Sequence, residues 1–180
     1  IIGDADDDND IAGFAGADTL DGGDGFGDDL RYDRENGGAG VQVNLATGVA
    51  IDSFGDTDQV TGFEAVFGTD FDDLLTGDAG RNFFLPGAGN DVVDGNDATA
   101  DDQVAYGFDG RTTGIVADLA AGTALDGFGG VDTLIDIQDV GGSEFADTII
   151  GDAQDNDLRG EAGDDTIQGG GGDDSLDGDD

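Results

Sequence analysis

Asp147, Asn156, Asp165 and Asp174 recur every nine residues in this chain and carry the oxygens with which it could do chemistry. Evenly spaced carboxylate and carboxamide oxygens, with Arg159 the one basic residue among them, suit ligation of a hard cation. Catalysis has little to draw on. The chain has no His, Cys or Lys, and its three serines, Ser53, Ser143 and Ser175, have no base except carboxylate. A carboxylate pair can in principle hydrolyse a glycoside, but every pair that can be placed here is a repeated one, so the chain is not expected to be an enzyme.

The spacing comes from a nine-residue word. Residues 142 to 177 read GSEFADTII, GDAQDNDLR, GEAGDDTIQ and GGGGDDSLD, each opening on Gly, with the oxygen-bearing residue sixth and Ile149, Leu158, Ile167 or Leu176 eighth. The first six residues must turn sharply, and Gly160, Gly163, Gly169, Gly170, Gly171 and Gly172 are expected to accept positive φ. The last three form a short strand in which the middle side chain faces inward and its neighbours face water. Two words make one coil, so words n and n+2 stack about 4.8 Å apart. Asp147 then meets Asp165 and Asn156 meets Asp174. Stacked carboxylates repel unless a cation lies between them, and Ca²⁺, which takes six to eight oxygens at about 2.3–2.6 Å and accepts carbonyls, fits better than Mg²⁺. Turn carbonyls complete the candidate metal set: Gly142, Glu144, Gly151, Ala153, Gly160, Glu161, Ala162, Gly163, Gly169, Gly170, Gly171 and Gly172.

These words resemble the GGxGxDxUx nonapeptide of the RTX (repeats-in-toxin) family. The resemblance implies an all-β fold, a parallel β-roll or β-helix solenoid that folds on binding several Ca²⁺ ions. It also implies export by a type I system that uses an uncleaved C-terminal signal. The merely structural alternative, solvated Asp-rich loops, does not account for the unbroken register or the aliphatic eighth letters.

Composition agrees. The chain sets 44 acidic groups against 5 basic ones, all Arg, for a net charge of −39. Like charges about 6 Å apart repel by roughly 3 kcal/mol at an effective dielectric near 20, so a core one side chain wide is not expected to hold without cations. Nucleic acid is excluded as a partner, because binding it needs Lys and Arg against phosphate. No apolar run is long enough for a membrane helix, and no basic-then-apolar signal opens the chain. Sites built of carbonyls and neutral Asn suit the millimolar Ca²⁺ of an extracellular or cell-surface setting.

A second period of 74 residues matches Tyr32 with Tyr106, Asp52 with Asp126, Phe54 with Phe128, Asp58 with Asp132 and Val66 with Val140. Ile1, Ile2, Gly3 and Asp4 repeat Ile149, Ile150, Gly151 and Asp152, and Asp180 ends one third into a new word, so a longer array is expected. Nonapeptide blocks at 1–30, 68–104 and 142–180 alternate with β-rich inserts at 31–67 and 105–141. The first block carries Asn9, Asp18 and Asp28, with Asn9 and Asp28 stretched to 19 apart and Asp18 left without a partner. The second carries Asp73, Asn82, Asp91 and Asp102. There Asp73 and Asp91 keep the spacing of 18, whereas Asn82 and Asp102 are 20 apart, and Arg81 and Pro86 occupy turns of a coil expected to bind Ca²⁺ poorly.

In the inserts Val41, Val43 and Leu45 alternate with polar residues, Gly48 turns, and Val49 and Ile51 resume, which predicts a hairpin or two successive strands. The inserts also resemble those between calcium repeats of large secreted bacterial proteins. They either cap the open end of a roll or widen the same solenoid. Tyr32 and Tyr106 read as repeating packing residues rather than a ligand platform, and the scattered arginines as local charge relief. Two functional classes follow. One is calcium-stiffened structural material such as an adhesin, surface layer or matrix filament, in which neighbouring copies could associate. The other is the non-catalytic secretion and folding module of an exported enzyme or toxin.

Overall fold

The computed structural model describes residues 1–3, 8–97, 99–107 and 110–179, so Asp4 and Asp180 of the repeat reading lie outside the described residues. In chain order its strands are β1 (Asp10–Ile11), β2 (Thr19–Asp21), β3 (Asp29–Arg31), β4 (Gln42–Asn44), β5 (Val49–Ile51), β6 (Thr57–Thr61), β7 (Ala65–Phe67), β8 (Leu74–Thr76), β9 (Phe83–Leu85) and β10 (Val92–Asp94). They continue with β11 (Gln103–Ala105), β12 (Val116–Asp118), β13 (Thr123–Leu125), β14 (Val131–Ile135), β15 (Asp139–Ser143), β16 (Thr148–Ile150), β17 (Asp157–Glu161), β18 (Thr166–Gln168) and β19 (Ser175–Asp177). No helix among the described residues is long and apolar enough to cross a membrane.

The strands alternate between two sheets, which makes a parallel β-roll. One sheet has eight strands in the order β1-β3-β7-β9-β11-β15-β17-β19, and the other has eleven in the order β18-β16-β12-β13-β14-β10-β8-β4-β5-β6-β2. In-register parallel pairing stacks the eighth letters: Leu75 on Val93, Phe84 on Val104, Ile149 on Ile167 and Leu158 on Leu176. Leu20, Leu30, Leu75, Phe84, Val93, Val104, Ile149 and Leu158 are fully buried between the sheets, each worth about 1.5–3 kcal/mol. Leu176, expected inside, is 50% exposed. Its strand β19 is the edge of its sheet.

The inserts widen the same solenoid. β4, β5 and β6 run as an antiparallel meander, as do β12, β13 and β14, and the outer strands of each meander pair in parallel with nonapeptide strands: β6 with β2, β4 with β8, β14 with β10 and β12 with β16. Gly48 and Gly122, both at φ 69°, make the hairpin turns, a left-handed conformation that a β-carbon would strain. β7 and β15 then rejoin the eight-stranded sheet. Tyr32 and Tyr106 are fully buried and donate their hydroxyls to Asp58 (3.4 Å) and Asp132 (2.9 Å). Asp58 and Asp132 are the cross-strand partners of Ala50 and Ala124 in the meanders.

Glycine works in two ways within a word, and only one was expected. Gly163, Gly170 and Gly172 have positive φ. Gly160 and Gly169 do not; they are glycine because a β-carbon would stand 2.3 Å from Asp165 Oδ2 and 2.2 Å from Asp174 Oδ2. The sixth side chain folds back over the first residue, and the same is true at Gly68, Gly77, Gly95, Gly142 and Gly151. Gly171 meets neither demand, since a β-carbon there has nothing closer than 3.9 Å.

Candidate metal centres

The sixth-position side chains stand at or just before the start of most parallel-paired strands, so each sheet has its own column of oxygens. Before the eleven-stranded sheet the column is Asp18, Asp58, Asp73, Asp91, Asp132, Asp147 and Asp165. Before the eight-stranded sheet it is mixed: Asn9, Asp28, Glu64, Asn82, Asp102, Gln138, Asn156 and Asp174. Asp58, Glu64, Asp132 and Gln138 come from the inserts and were not among the ligands expected from the sequence, although Asp58 and Asp132 match in the 74-residue period. The signal was there in part, because VDTLI (131–135) and TDQVT (57–61) follow glycine-rich turns and spell the end of the word.

All the expected pairs are stacked, through a contact the sequence did not suggest. The carboxylate of one turn accepts the backbone N–H of the sixth residue in the coil before it: Asn9 N to Asp28 Oδ1 (2.9 Å), Asp73 N to Asp91 Oδ1 (2.8 Å), Asn82 N to Asp102 Oδ1 (2.7 Å), Asp147 N to Asp165 Oδ1 (2.8 Å) and Asn156 N to Asp174 Oδ1 (3.1 Å). The extra residues in the first and second blocks leave this contact intact. Asp18 is not partnerless as expected: its N–H donates to Asp58 Oδ1 at 2.8 Å, because β6 of the insert stacks on β2.

The second carboxylate oxygen separates two kinds of turn. In one kind the N–H of the word's second residue closes onto the sixth side chain: Thr69 N to Asp73 Oδ2 (2.6 Å), Ser143 N to Asp147 Oδ2 (2.6 Å), Asp78 N to Asn82 Oδ1 (2.7 Å) and Asp152 N to Asn156 Oδ1 (2.9 Å). Asp73 and Asp147 also accept from the Thr69 and Ser143 hydroxyls and from Val41 N and Ile115 N, which saturates them at the start of each array. In the other kind the second residue has positive φ, as at Gly23, Gly87, Asn96 and Glu161, and its N–H is turned away. Asp28, Asp91, Asp102 and Asp165 then each keep a buried Oδ2 with no hydrogen-bond partner.

Such oxygens are costly to bury, on the order of 1–3 kcal/mol each or more when charged. Burial pushes the carboxyl of Asp102 up to about 6, and that of Asp73 as well despite its full set of hydrogen bonds, ahead of the amide hydrogen bonds that oppose it. Asp147 is raised for the same reason, while Asp91 is raised by burial and then by its neighbours Asp132 and Asp73. A divalent cation would reverse each of these penalties. The donor set is all oxygen and mostly anionic or amide, which is the chemistry of Ca²⁺ rather than of Zn²⁺ or copper. No group of three or more His, Cys, Asp or Glu among the described residues forms a metal centre from side chains alone. Two stacked side chains together with turn carbonyls would be the oxygens available to an ion between coils.

The mixed column offers less charge per gap. Asn9 Nδ2 donates to Asp28 Oδ1 at 2.8 Å, and Asn156 Nδ2 to the Gln138 carbonyl at 2.8 Å, so amides there do part of what a cation does in the Asp column. Arg81, expected to spoil its turn, reaches across to buried Asp139 at 3.1 Å while Asn82 keeps its place in the column.

Residues 59–98 and 141–176 match the family model described as the RTX calcium-binding nonapeptide repeat, in four copies. No curated protein matches the chain.

Proposed function

Because the chain carries RTX calcium-binding nonapeptide repeats, we propose that it is a calcium-stiffened structural segment of a secreted or cell-surface protein, of the adhesin, surface-layer or matrix-filament kind. It is a calcium-binding repeat module, and the repeats bind several Ca²⁺ ions. The observation that carries the reading is the set of buried, unpartnered carboxylate oxygens of Asp28, Asp91, Asp102 and Asp165, all at the sixth position of the word. Asp73, Asp147, Asn82 and Asn156 would share those ions from the neighbouring coil, and the carbonyls of turns such as 142–144 and 160–163 would complete them. The ion supplies charge neutralisation between coils, and the protein supplies spacing.

The chemistry in the chain is structural. Most of the buried carboxylates are rungs of a repeated column, and the serine hydroxyls that meet a carboxylate, Ser143 on Asp147 and Ser53 on Glu35, have no base other than that carboxylate. A net charge of −39 disfavours nucleic acid and anionic membranes as partners.

Folding is then linked to metal, since binding free energy offsets charge repulsion and chain entropy together. Adding Ca²⁺ to chelator-treated protein should produce a cooperative gain of β signal in far-ultraviolet circular dichroism. Full β signal in chelator at neutral pH would defeat the reading.

A further inference from the structure

The Asp column does not stop where the matched repeats end. In the second insert, β14 stacks on β10 with Leu134 over Val93, and Asp91 N donates to Asp132 Oδ1 at 3.1 Å. Asp132 is fully buried and Asp91 is 1% exposed, yet Asp91 Oδ2 has no partner. The other Asp132 oxygen accepts the Tyr106 hydroxyl at 2.9 Å. The turn beneath is set by buried Asp126, whose Oδ1 accepts Phe128 N, Gly129 N and Gly130 N at 2.8–2.9 Å and whose Oδ2 receives Gly89 N at 3.4 Å from the turn above. One cation, the Arg111 guanidinium, stands nearby, with its Nε donating to the Asp126 carbonyl at 2.7 Å.

We propose that the junction between turn 87–91 and turn 126–132 is a further divalent-cation site, with Asp91 and Asp132 as its side-chain ligands and Asp126 holding the turn in place. Asp126 and Asp132 lie outside the residues that match the nonapeptide family. The site joins a repeat to an insert 41 residues further on. Two buried carboxyl groups on turns joined through Asp91 N, one of them with an unpartnered oxygen, must take up either a proton or a cation. At neutral pH and millimolar Ca²⁺ the hard cation wins, because it meets several oxygens at once. The first insert shares part of the arrangement at the Asp18–Asp58 gap: Asp18 N donates to Asp58 Oδ1 and Asp58 Oδ2 receives the Tyr32 hydroxyl, while Asp18 is half-buried and the unpartnered oxygen is Oδ2 of the turn-setting Asp52, 1% exposed. The inserts thus extend the ion column instead of interrupting it. This rests on the calcium reading above.

The chain has two tyrosines and no Trp, and each hydroxyl bonds an insert carboxylate, so tyrosine-sensitised Tb³⁺ luminescence reports on these junctions. The full chain, stripped with chelator, is titrated with Tb³⁺ alone, and Ca²⁺ bound per chain is counted separately by equilibrium dialysis. Asp132→Asn keeps an acceptor for Asp91 N, so the coil stays in register; it should bind one Ca²⁺ fewer and lose about half the luminescence. An unchanged ion count and unchanged luminescence overturn the site and leave a shared proton as the occupant. Tyr106→Phe leaves every carboxylate in place and gives an independent reading. Its Tb³⁺ signal should fall while its Ca²⁺ count holds, and a signal that does not fall also overturns the site. A chain that binds Ca²⁺ without gaining β signal counts instead against the folding role, and the ion count at Asp132 still decides this proposal.

Discussion

A carboxylate buried between coils of this roll is held by a backbone N–H from the coil before it and, at Asp73 and Asp147, by a second from its own turn. Those hydrogen bonds favour the charged form, yet burial outweighs them, and the carboxyls of Asp58, Asp73 and Asp102 rise to about 6. The unfolded chain titrates near 3.9, so between the two values the metal-free fold binds more protons than the coil. These groups therefore contribute stability that is fully present below the unfolded value and is lost as pH rises through about 6. Chelated protein should accordingly show more β signal near pH 5 than near pH 7.5. Calcium should restore the signal at the higher pH and bind less tightly at the lower, where protons compete for the same oxygens. Circular dichroism across this range, with and without saturating Ca²⁺, measures both effects. Loss of β signal on acidifying the chelated chain would show that the buried carboxylates are stabilised as anions.

At the scale of the turn, the two columns differ in charge while sharing one geometry. Calcium affinity follows the number of charged ligands and the rigidity of the site, so gaps bounded by two Asp residues should fill before gaps bounded by Asn and Asp. Asn156→Asp gives the Asn156–Asp174 gap a second carboxylate and removes the amide that donates to the Gln138 carbonyl. It should tighten calcium binding and weaken the metal-free coil together. Asp165→Asn does the opposite in the Asp column, where Asp165 Oδ2 is unpartnered, and should raise the calcium midpoint on the order of tenfold. Calorimetric titration of both variants tests the assignment, and midpoints moving in the same direction would refute the difference between columns.

Across the whole chain, contacts run from each coil to the next, and the sheets differ in length. Eleven strands span about 48 Å and eight span about 34 Å at 4.8 Å per step. The antiparallel strands β4, β5, β12 and β13 have no counterparts in the eight-stranded sheet. A quasi-linear array of this kind grows by addition. Small-angle scattering of the Ca²⁺-bound chain should give an elongated profile, with a radius of gyration well above the roughly 16 Å of a compact domain of this size. Adding one 74-residue unit should lengthen the particle at unchanged cross-section. Thickening without lengthening would mean that units fold back on one another.

The sequence alone carried the word, and with it the roll, because a nine-residue period leaves only one way to bury Ile149, Leu158 and Ile167 while turning on glycine between them. It also carried the pairing of Asp147 with Asp165 and of Asn156 with Asp174, which follows from that period. Three features were decided by tertiary structure. Asp18 finds Asp58, and Asp91 finds Asp132, 40 and 41 residues away, because each insert turns back through a meander that returns its last strand to the coil it left; no local period encodes that return. Asp73 and Asp147 are saturated while Asp91 and Asp165 keep a free oxygen, since the hand of φ at the word's second residue decides where one N–H points, and non-glycine residues at Asn96 and Glu161 adopt the left-handed form only under the constraint of stacked neighbours. Gly160 and Gly169, legible as turn residues, are required by the sixth side chain lying across them, a contact that exists only once the turn has closed.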